Sequence, residues 1–105
     1  MGYNFSEQNE TGRTNAAGAF EVTVEKVYRY HQIQLEVSAE PAAGALEVFA
    51  KTPGASAYVS VGSFDMTAPS NRIVQLELYA EALRFAPTGF DTGKTFDVYV
   101  FSTEK

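Results

Sequence analysis

The chain of 105 residues contains no cysteine and no tryptophan, and its single histidine is His31. The absence of cysteine excludes disulfides, thiol catalysis and the common cysteine-rich zinc sites. Eight Lys and Arg residues are scattered among thirteen Asp and Glu residues, so the net charge is −5 and no basic patch forms. Nucleic acids and membrane surfaces, which attract clustered positive charge, are therefore not expected partners.

Long apolar runs and the residue pattern of a secretory leader are also not seen in this sequence. No stretch approaches the ~20 apolar residues that a membrane-spanning helix needs. The beginning, "MGYNFSEQNE", lacks the charged and then apolar pattern of a signal peptide. We therefore expect a protein made in the cytoplasm that folds in water as one domain around one hydrophobic core.

The pattern that is present has a period of two. From Phe20 onward, apolar residues alternate with polar ones along one short stretch after another, up to Val100. A change of parity between Ala80 and Leu83 predicts a bend, bulge or short turn near Glu81. The spacing of these stretches predicts an all-β fold, an antiparallel β-sandwich of about seven to eight short strands, of the jelly-roll or immunoglobulin-like type.

The beginning of the chain has a different composition. Residues 1–18 are polar and rich in Asn, Thr and Gly, so we predict a flexible or extended N-terminal arm over 1–18 and a single β-sandwich domain over 19–105. Tyr3 and Phe5 are the apolar exceptions in this arm. They suit docking into a neighbouring molecule, and a frayed terminus with two incidental aromatics is the alternative.

Aromatic side chains occupy positions where the alternation points away from the core. A sandwich that stays alone in water favours Thr, Lys or Glu at such positions, whereas aromatic rings are enriched at protein interfaces. Together with the two aromatics of the arm, these residues form the predicted interface: Tyr3, Phe5, Tyr28, Tyr30, Phe49, Tyr58, Tyr79, Tyr99 and Phe101.

The run "GFDTGKTF", Gly89 to Phe96, contains two fragments of catalytic motifs. Asp91, Thr92 and Gly93 form the triplet of aspartic proteases, but such enzymes need two of these carboxylates and a long segment after the first. Only twelve residues follow Gly93. The run predicts instead an exposed hairpin loop of five to eight residues that joins two antiparallel strands.

The fragment "GKT" in the same run fails as a phosphate-binding P-loop. The first glycine of that motif belongs at position 88, which is threonine, and the motif must open a helix. "FDVYVF" follows instead, and it has the pattern of a strand. No acid or nucleophile is arranged around His31 in the sequence, and nothing in it selects one pair among the thirteen carboxylates for a glycosidase-type site. We therefore expect a protein that is not an enzyme, without catalytic residues, metal or cofactor.

The segments "GALEVFAKTPGASAYVSVGSFDM" and "IVQLELYAEALRFAPTGFDTGKTFDVYVF", within residues 44–101, resemble small β-sandwich virion proteins of tailed bacteriophages. These are decoration, head-fibre, collar and tail-associated modules. The resemblance implies a structural assembly protein of a phage or prophage particle, located in the virion. Its implied partners are copies of itself, as in a trimer, and other virion proteins. No functional residue carries over.

Carbohydrate binding is the alternative function. β-Sandwiches can present aromatic side chains as platforms for sugar rings. The absence of tryptophan weighs against this alternative. Under it, the outward aromatics contact sugar rather than protein.

Overall fold

A computed structural model describes residues 5–37, 43–66 and 71–104. These residues form six strands that belong to one antiparallel sheet with the order β1-β6-β2-β5-β3-β4. The part of the chain that is described contains no helix. The predicted all-β antiparallel fold is confirmed. The strands are β1 (Phe5–Arg13), β2 (Phe20–Val37), β3 (Ala45–Ala50), β4 (Val59–Asp65), β5 (Asn71–Thr88) and β6 (Phe96–Thr103).

Two long strands turn this sheet into a sandwich. β2 and β5 have 18 residues each. The second half of β2 pairs with β6 and with the first half of β5, and β1 completes this first layer. The first half of β2 pairs with the second half of β5, and β3 and β4 complete the second layer. Because β2 and β5 contribute to both layers, each layer has four strand segments, in agreement with the predicted seven to eight short strands.

The hydrophobic core lies between the two layers. The ring of Phe20 lies 5.4 Å from that of Phe85 in its own layer and 6.1 Å from that of Phe96 in the other. The smallest extent of the molecule, 18 Å, suits two sheets packed about 10 Å apart. The buried core consists of Phe20, Val22, Val24, Tyr28, Ile33, Leu35, Val37, Leu46, Val48, Ala50, Phe64, Met66, Ala80, Leu83, Phe85, Phe90, Phe96, Val98 and Val100.

The predicted change of parity near Glu81 is confirmed. Ala80 and Leu83 are both fully buried, and Glu81 between them is exposed. In the pairing of β2 with β5, Thr23 faces Ala82 and the next described pair is Tyr28 with Ala80. The extra residues of β2 form a bulge, and bulges bend strands. This bulge marks the point at which both long strands pass from one layer to the other.

The predicted N-terminal arm is paired within the sheet from Phe5 to Arg13. β1 is an edge strand that runs antiparallel to β6, with a register shift between Glu10 and Arg13. The sequence did not predict this strand, because its residues are mostly polar. Backbone hydrogen bonds to β6 hold it in place instead of a row of buried apolar side chains. Ser6 is its buried side chain. The division of the chain at residue 18 stays a prediction, and Tyr3 lies outside the described residues.

The loop after Thr88 is not the hairpin that its sequence predicts. β5 and β6 are not neighbours, since both pair antiparallel with β2, and the loop carries the chain from the second layer to the first. Phe90 of this loop is buried and packs edge-on against Phe96, with ring centroids 5.4 Å apart. Its N–H donates to Oδ1 of Asn15 at 3.2 Å. The hairpin prediction was wrong because turn residues specify a change of direction, not the strand that lies alongside.

Within that loop, Asp91 to Lys94 form the tight turn that their glycine and aspartate predict. Gly93 has a φ of 83°, which favours glycine. The N–H of Lys94 donates to the carbonyl of Asp91 at 3.3 Å, and their side chains form an ion pair at 3.0 Å. Asp91 is thus paired with the neighbouring lysine in a tight turn. The P-loop is excluded by context as well, because the strand β6 follows Thr95 where a helix would be needed.

Candidate functional site

One side of the first layer faces outward with aromatic and amide side chains, because alternate residues of a strand point to the same side. The register places Phe101 of β6 between Glu7 of β1 and Gln32 of β2. Two residues earlier on β6, Tyr99 lies between Asn9 of β1 and Gln34 of β2. We call this surface the outer face; it consists of Phe5, Glu7, Asn9, Tyr30, Gln32, Gln34, Glu36, Ile73, Gln75, Glu77, Asp97, Tyr99, Phe101 and Thr103.

Two hollows adjoin on the outer face, and we call them together the outer groove. One has a volume of about 490 Å³ and the other about 440 Å³, and Gln32 and Phe101 line both. The groove follows β2 from Tyr30 to Gln34, which is about 13 Å at the usual rise of a strand. This length exceeds what a single small ligand needs, so the groove suits a chain that lies along the strands.

Amide side chains line the middle of the outer groove. Nε2 of Gln75 donates to Oε1 of Gln32 at 3.4 Å, and Nε2 of Gln34 donates to Oε2 of Glu36 at 3.2 Å. These contacts orient the side chains. Each amide has two N–H donors and a carbonyl with two lone pairs, so it can still bond to a ligand hydroxyl as donor and acceptor.

One end of the outer face is acidic. The hydroxyl of Tyr99 donates to Oδ2 of Asp97 at 3.5 Å, and Oδ1 of Asp97 accepts from the N–H of Gly12 at 2.8 Å. Glu36 lies directly opposite Asp97 in the pairing of β2 with β6. Desolvation raises the pKa of Tyr99, and the nearby charges of Glu36 and Asp97 raise it further. Negative charge therefore dominates this end.

The other end of the outer face has an exposed cluster around Arg29. Its guanidinium lies 2.7 Å from Oε2 of Glu77, 5.2 Å from the ring centroid of Tyr30 and 5.9 Å from that of Tyr79. Such exposed contacts contribute little to stability. They do hold the guanidinium of Arg29 beside the carboxylate of Glu77 at the rim of the groove.

His31 and Ser102 lie beneath the outer face in an arrangement that resembles a base and a nucleophile. Nδ1 of His31 lies 2.7 Å from Oγ of Ser102. His31 is 1% exposed and Ser102 is fully buried, so a substrate cannot reach the hydroxyl. Nε2 of His31 lies 3.0 Å and 3.1 Å from the carbonyl oxygens of Tyr28 and Leu78. Both ring nitrogens are thus used within the protein.

The predicted interface aromatics do not share one surface. Phe5, Tyr30, Tyr99 and Phe101 lie on the outer face, where the rings of Phe5 and Phe101 are 5.5 Å apart. Phe49 lies on β3 of the second layer, and Tyr58 precedes β4. Tyr79 is 61% exposed beside Arg29. Four of the predicted residues therefore come together in one site.

Tyr28 was wrongly predicted to point outward. Its side chain is 2% exposed and belongs to the core. The register of β2 with β5 shifts on both sides of Tyr28, between Thr23 and Tyr28 and again between Tyr28 and Tyr30. The buried positions of β2 are even-numbered up to Tyr28, as Val24 is, and odd-numbered from Tyr30 onward, so the side reverses at the second shift. An alternation that is extended back from Ile33 misses this reversal.

Tyr58 belongs to a separate cluster. Burial raises its pKa to about 12, with a further contribution from the hydrogen bond to Glu21. Nζ of Lys51 lies 5.0 Å from its ring centroid. These contacts hold the phenol on its own layer, away from the outer groove.

Sequence reasoning missed the polar half of the outer face. The alternation with Ile33, Leu35 and Val37 places Gln32, Gln34 and Glu36 on the outward side of one strand, and Glu7 and Asn9 fall within the predicted arm. The available signal was the uninterrupted row of two amides and a carboxylate on alternate positions of one strand. The pairing of that row with Tyr99 and Phe101 depends on strand order, which the sequence does not specify.

The described ranges contain neither a metal-binding cluster nor a membrane-spanning helix. No three His, Asp or Glu side chains there are grouped so that they could hold a metal ion. Nor does any helix of the length and hydrophobicity needed to cross a membrane occur in them.

No protein family model matches the chain, and no curated protein matches it. Solved structures do. A putative α-L-fucosidase from Bacteroides thetaiotaomicron is 15% identical with a TM-score of 0.65, over 87% of this chain and 21% of the fucosidase. A family 29 carbohydrate binding module is 10% identical with a TM-score of 0.59, over 98% of this chain and 82% of the module. The Drosophila NLP core, described for pentamer formation and histone binding, is 15% identical with a TM-score of 0.54, over 95% of this chain and 97% of that one.

These similarities concern the fold. The chain spans about a fifth of the fucosidase, and all three identities are low. Proteins of such different description share the β-sandwich, and function is a property of the site that each one carries.

Proposed function

We propose that this protein is a carbohydrate-binding module and that the outer groove holds a sugar chain. The observation that carries the proposal is the position of Phe101 and Tyr99 on β6, with amide and carboxylate side chains on the strands to either side. Phe101 is 43% exposed, although it is a large apolar side chain on a strand that lies between two others rather than at the edge of its layer.

The chemistry of this surface suits a sugar ring. A pyranose has C–H groups on its faces and hydroxyls around its edge. The negative face of an aromatic ring attracts the C–H groups, and amides bond to hydroxyls as donor and acceptor. Phe101 supplies the first contact, and Gln32 and Gln34 beside it supply the second. Pockets with an apolar surface and a few polar groups that fix orientation are typical binding sites.

The fold neighbours support the same function. A family 29 carbohydrate binding module aligns with almost the whole chain. That likeness concerns the fold, so it supports the proposal only in combination with the outer groove. We propose a binding role without a catalytic step, since both members of the His31 and Ser102 pair are buried.

The experiment is affinity electrophoresis of the purified protein through gels that contain neutral polysaccharides, followed by calorimetry with oligosaccharides of the polymer that retards it. We expect retardation by at least one polymer. Phe101→Ala removes the aromatic contact and weakens binding by about fivefold, for a loss near 1 kcal/mol. Tyr99→Ala acts in the same direction.

Tyr79→Ala is the matched control. Tyr79 is a more exposed aromatic than Phe101 but does not line the outer groove. Its replacement is expected to leave retardation unchanged. Equal losses for Tyr79→Ala and Tyr99→Ala would place the sugar elsewhere, and migration unaffected by every polymer would refute carbohydrate binding.

Assembly in a virion stays a prediction, and none of the three matched structures is described as a phage protein. It requires a stable oligomer that Tyr99→Ser together with Phe101→Ser dissociates. Size-exclusion chromatography with light scattering measures this directly. A monomer that is retarded by polysaccharide favours the sugar-binding function over assembly.

A further inference from the structure

Charge on the outer face is unevenly balanced. The residues that line the two hollows include the carboxylates of Glu7 and Glu77 and, within the described part of the chain, no lysine or arginine. Glu77 is neutralised by Arg29 at 2.7 Å. Beyond the lining, Glu36 and Asp97 stand at the end near Tyr99.

Glu36 and Asp97 form an unusual pair. Directly opposite residues on adjacent antiparallel strands have Cβ atoms about 4.5–5.5 Å apart, and like charges at such positions are destabilising. Each carboxylate does have a local donor, Gln34 for Glu36 and the N–H of Gly12 for Asp97. The hydroxyl of Tyr99 donates to Asp97 as well. These donors carry no charge, so a cationic group beside both carboxylates would gain a favourable charge interaction.

The position of this pair connects it to the outer groove. Tyr99 lines the groove, and its hydroxyl donates to Asp97. Desolvation raises the pKa of Tyr99, and the charges of Glu36 and Asp97 raise it further, in line with the contact between its hydroxyl and Asp97 at the groove wall. Glu7, which is exposed on β1 directly opposite Phe101, adds negative charge to the same face.

We propose that the outer groove selects glycans by charge: it binds chains that carry free amines more tightly than matched neutral chains, and it rejects chains that carry carboxylate or sulfate groups. This inference rests on the proposed carbohydrate binding. An ammonium group near Glu36 and Asp97 gains favourable charge interactions, whereas an anionic sugar adds negative charge to a groove whose described lining holds carboxylates and no lysine or arginine.

The experiment is calorimetry with three oligomers of equal length: a β-linked glucosamine oligomer, its N-acetylated counterpart, and an oligouronate. At about pH 5.5 amines are protonated and carboxylates are mostly ionised. At an ionic strength of about 0.02 M, where screening is weak, we expect the amine oligomer to bind about two- to fivefold more tightly than the acetylated one and the oligouronate to bind most weakly. The difference shrinks at about 0.5 M salt.

The readout in variants is the ratio of the two dissociation constants on the same protein. Glu36→Gln combined with Asp97→Asn brings the ratio of amine to acetylated oligomer close to one. Glu7→Gln, on the edge strand, reduces the ratio partly and serves if the double variant does not fold. Glu81→Gln removes an equal charge from an exposed position outside the outer face and leaves the ratio unchanged.

Two failures are distinguishable. If the acetylated oligomer binds and the other two bind equally well, charge selection is refuted and carbohydrate binding stands. If none of the oligomers binds and no neutral polysaccharide retards the protein, both proposals are refuted.

Discussion

His31 and Ser102 are joined across two neighbouring strands, with Nδ1 of the histidine 2.7 Å from Oγ of the serine, in the interior of the sandwich. The other ring nitrogen lies within hydrogen-bond distance of the carbonyl oxygens of Tyr28 and Leu78. Carbonyls only accept, so Nε2 carries the proton, Nδ1 accepts, and the hydroxyl of Ser102 donates. The neutral ring therefore satisfies two backbone carbonyls beside the register shift of β2 and β5.

This arrangement predicts a stability that falls in mild acid. Burial lowers the pKa of His31 below its ordinary value of 6.5, and the bonds to the Leu78 and Tyr28 carbonyls oppose this in part. The unfolded chain therefore binds a proton on His31 at a higher pH than the folded chain does. The contribution to stability is complete above pH 6.5 and is lost as the pH falls from there through the lower pKa of the folded state. Chemical denaturation at a series of pH values measures it.

His31→Gln is the control for this pH dependence. Glutamine has an N–H donor for the carbonyls and no proton to gain in this range. We expect the variant to be less stable near neutral pH and to lose less stability on acidification than the unaltered protein. If the free energy of unfolding falls equally in both proteins between neutral pH and about pH 5, the loss of stability comes from groups other than His31.

Gly44 is predicted to tolerate no side chain. It has a φ of +98°, and a Cβ at this position would lie 2.5 Å from the backbone oxygen of Thr88 and 2.6 Å from the carbonyl carbon of Gly89. Gly44→Ala combines backbone strain with this clash, so we expect a loss of about 2–5 kcal/mol in the free energy of unfolding. Denaturant unfolding measures the loss.

Gly93→Ala separates the two causes. Gly93 also has a positive φ, of +83°, but an added Cβ would meet nothing within 4 Å. Only the strain of the positive φ applies, so we expect a loss of about 1–2 kcal/mol in the free energy of unfolding. A Gly93 variant as unstable as the Gly44 variant would contradict the close approach between Gly44 and the segment that follows β5.

Phe96 and Phe101, on the same strand β6, test which side of the strand faces the core and which faces solvent. Phe96 is fully buried in contact with Phe20 and Phe90, whereas Phe101 is 43% exposed on the outer face. Phe96→Ala should lower the free energy of unfolding by about 3–5 kcal/mol, because it leaves a cavity in the core. Phe101→Ala should change it by much less, and a large loss from that substitution would mean that the ring serves packing rather than binding.

Asp97 is predicted to hold β1 against β6. Its Oδ1 accepts from the N–H of Gly12 at 2.8 Å, close to the register shift near the end of β1. Asp97→Ala removes this acceptor, so hydrogen exchange should accelerate at Gly12 and in the last residues of β1 while the core strands remain protected. Asp91→Ala, in the turn before β6, should leave exchange in β1 unchanged.

Alternation of apolar residues was enough to predict the fold class and one of its irregularities. The parity change between Ala80 and Leu83 identified the bend of β5, because both residues must be buried. Tyr28 was misplaced since the irregularity of β2 lies among residues whose polarity gives no parity signal. β1 was missed because an edge strand needs backbone pairing more than apolar side chains.

The site was less accessible to sequence reasoning than the fold. Tyr99 and Phe101 were identified as outward aromatics from their own strand alone. Their amide neighbours come from β2 and from the polar N-terminal segment, and only the order β1-β6-β2 brings them alongside. The loop after Thr88 illustrates the same limit. Its turn residues correctly predicted that the chain changes direction, but they wrongly predicted that β5 and β6 lie side by side.

β2 and β5 each belong to both layers, and this has a consequence for how the protein can be divided. A fragment that contained only the strands of one layer would have to cut both long strands at the bend, and it would expose half of the core to water. The outer face therefore cannot be separated from the layer behind it. Any fusion, exchange or engineered transfer of the binding surface has to carry the whole domain as one piece.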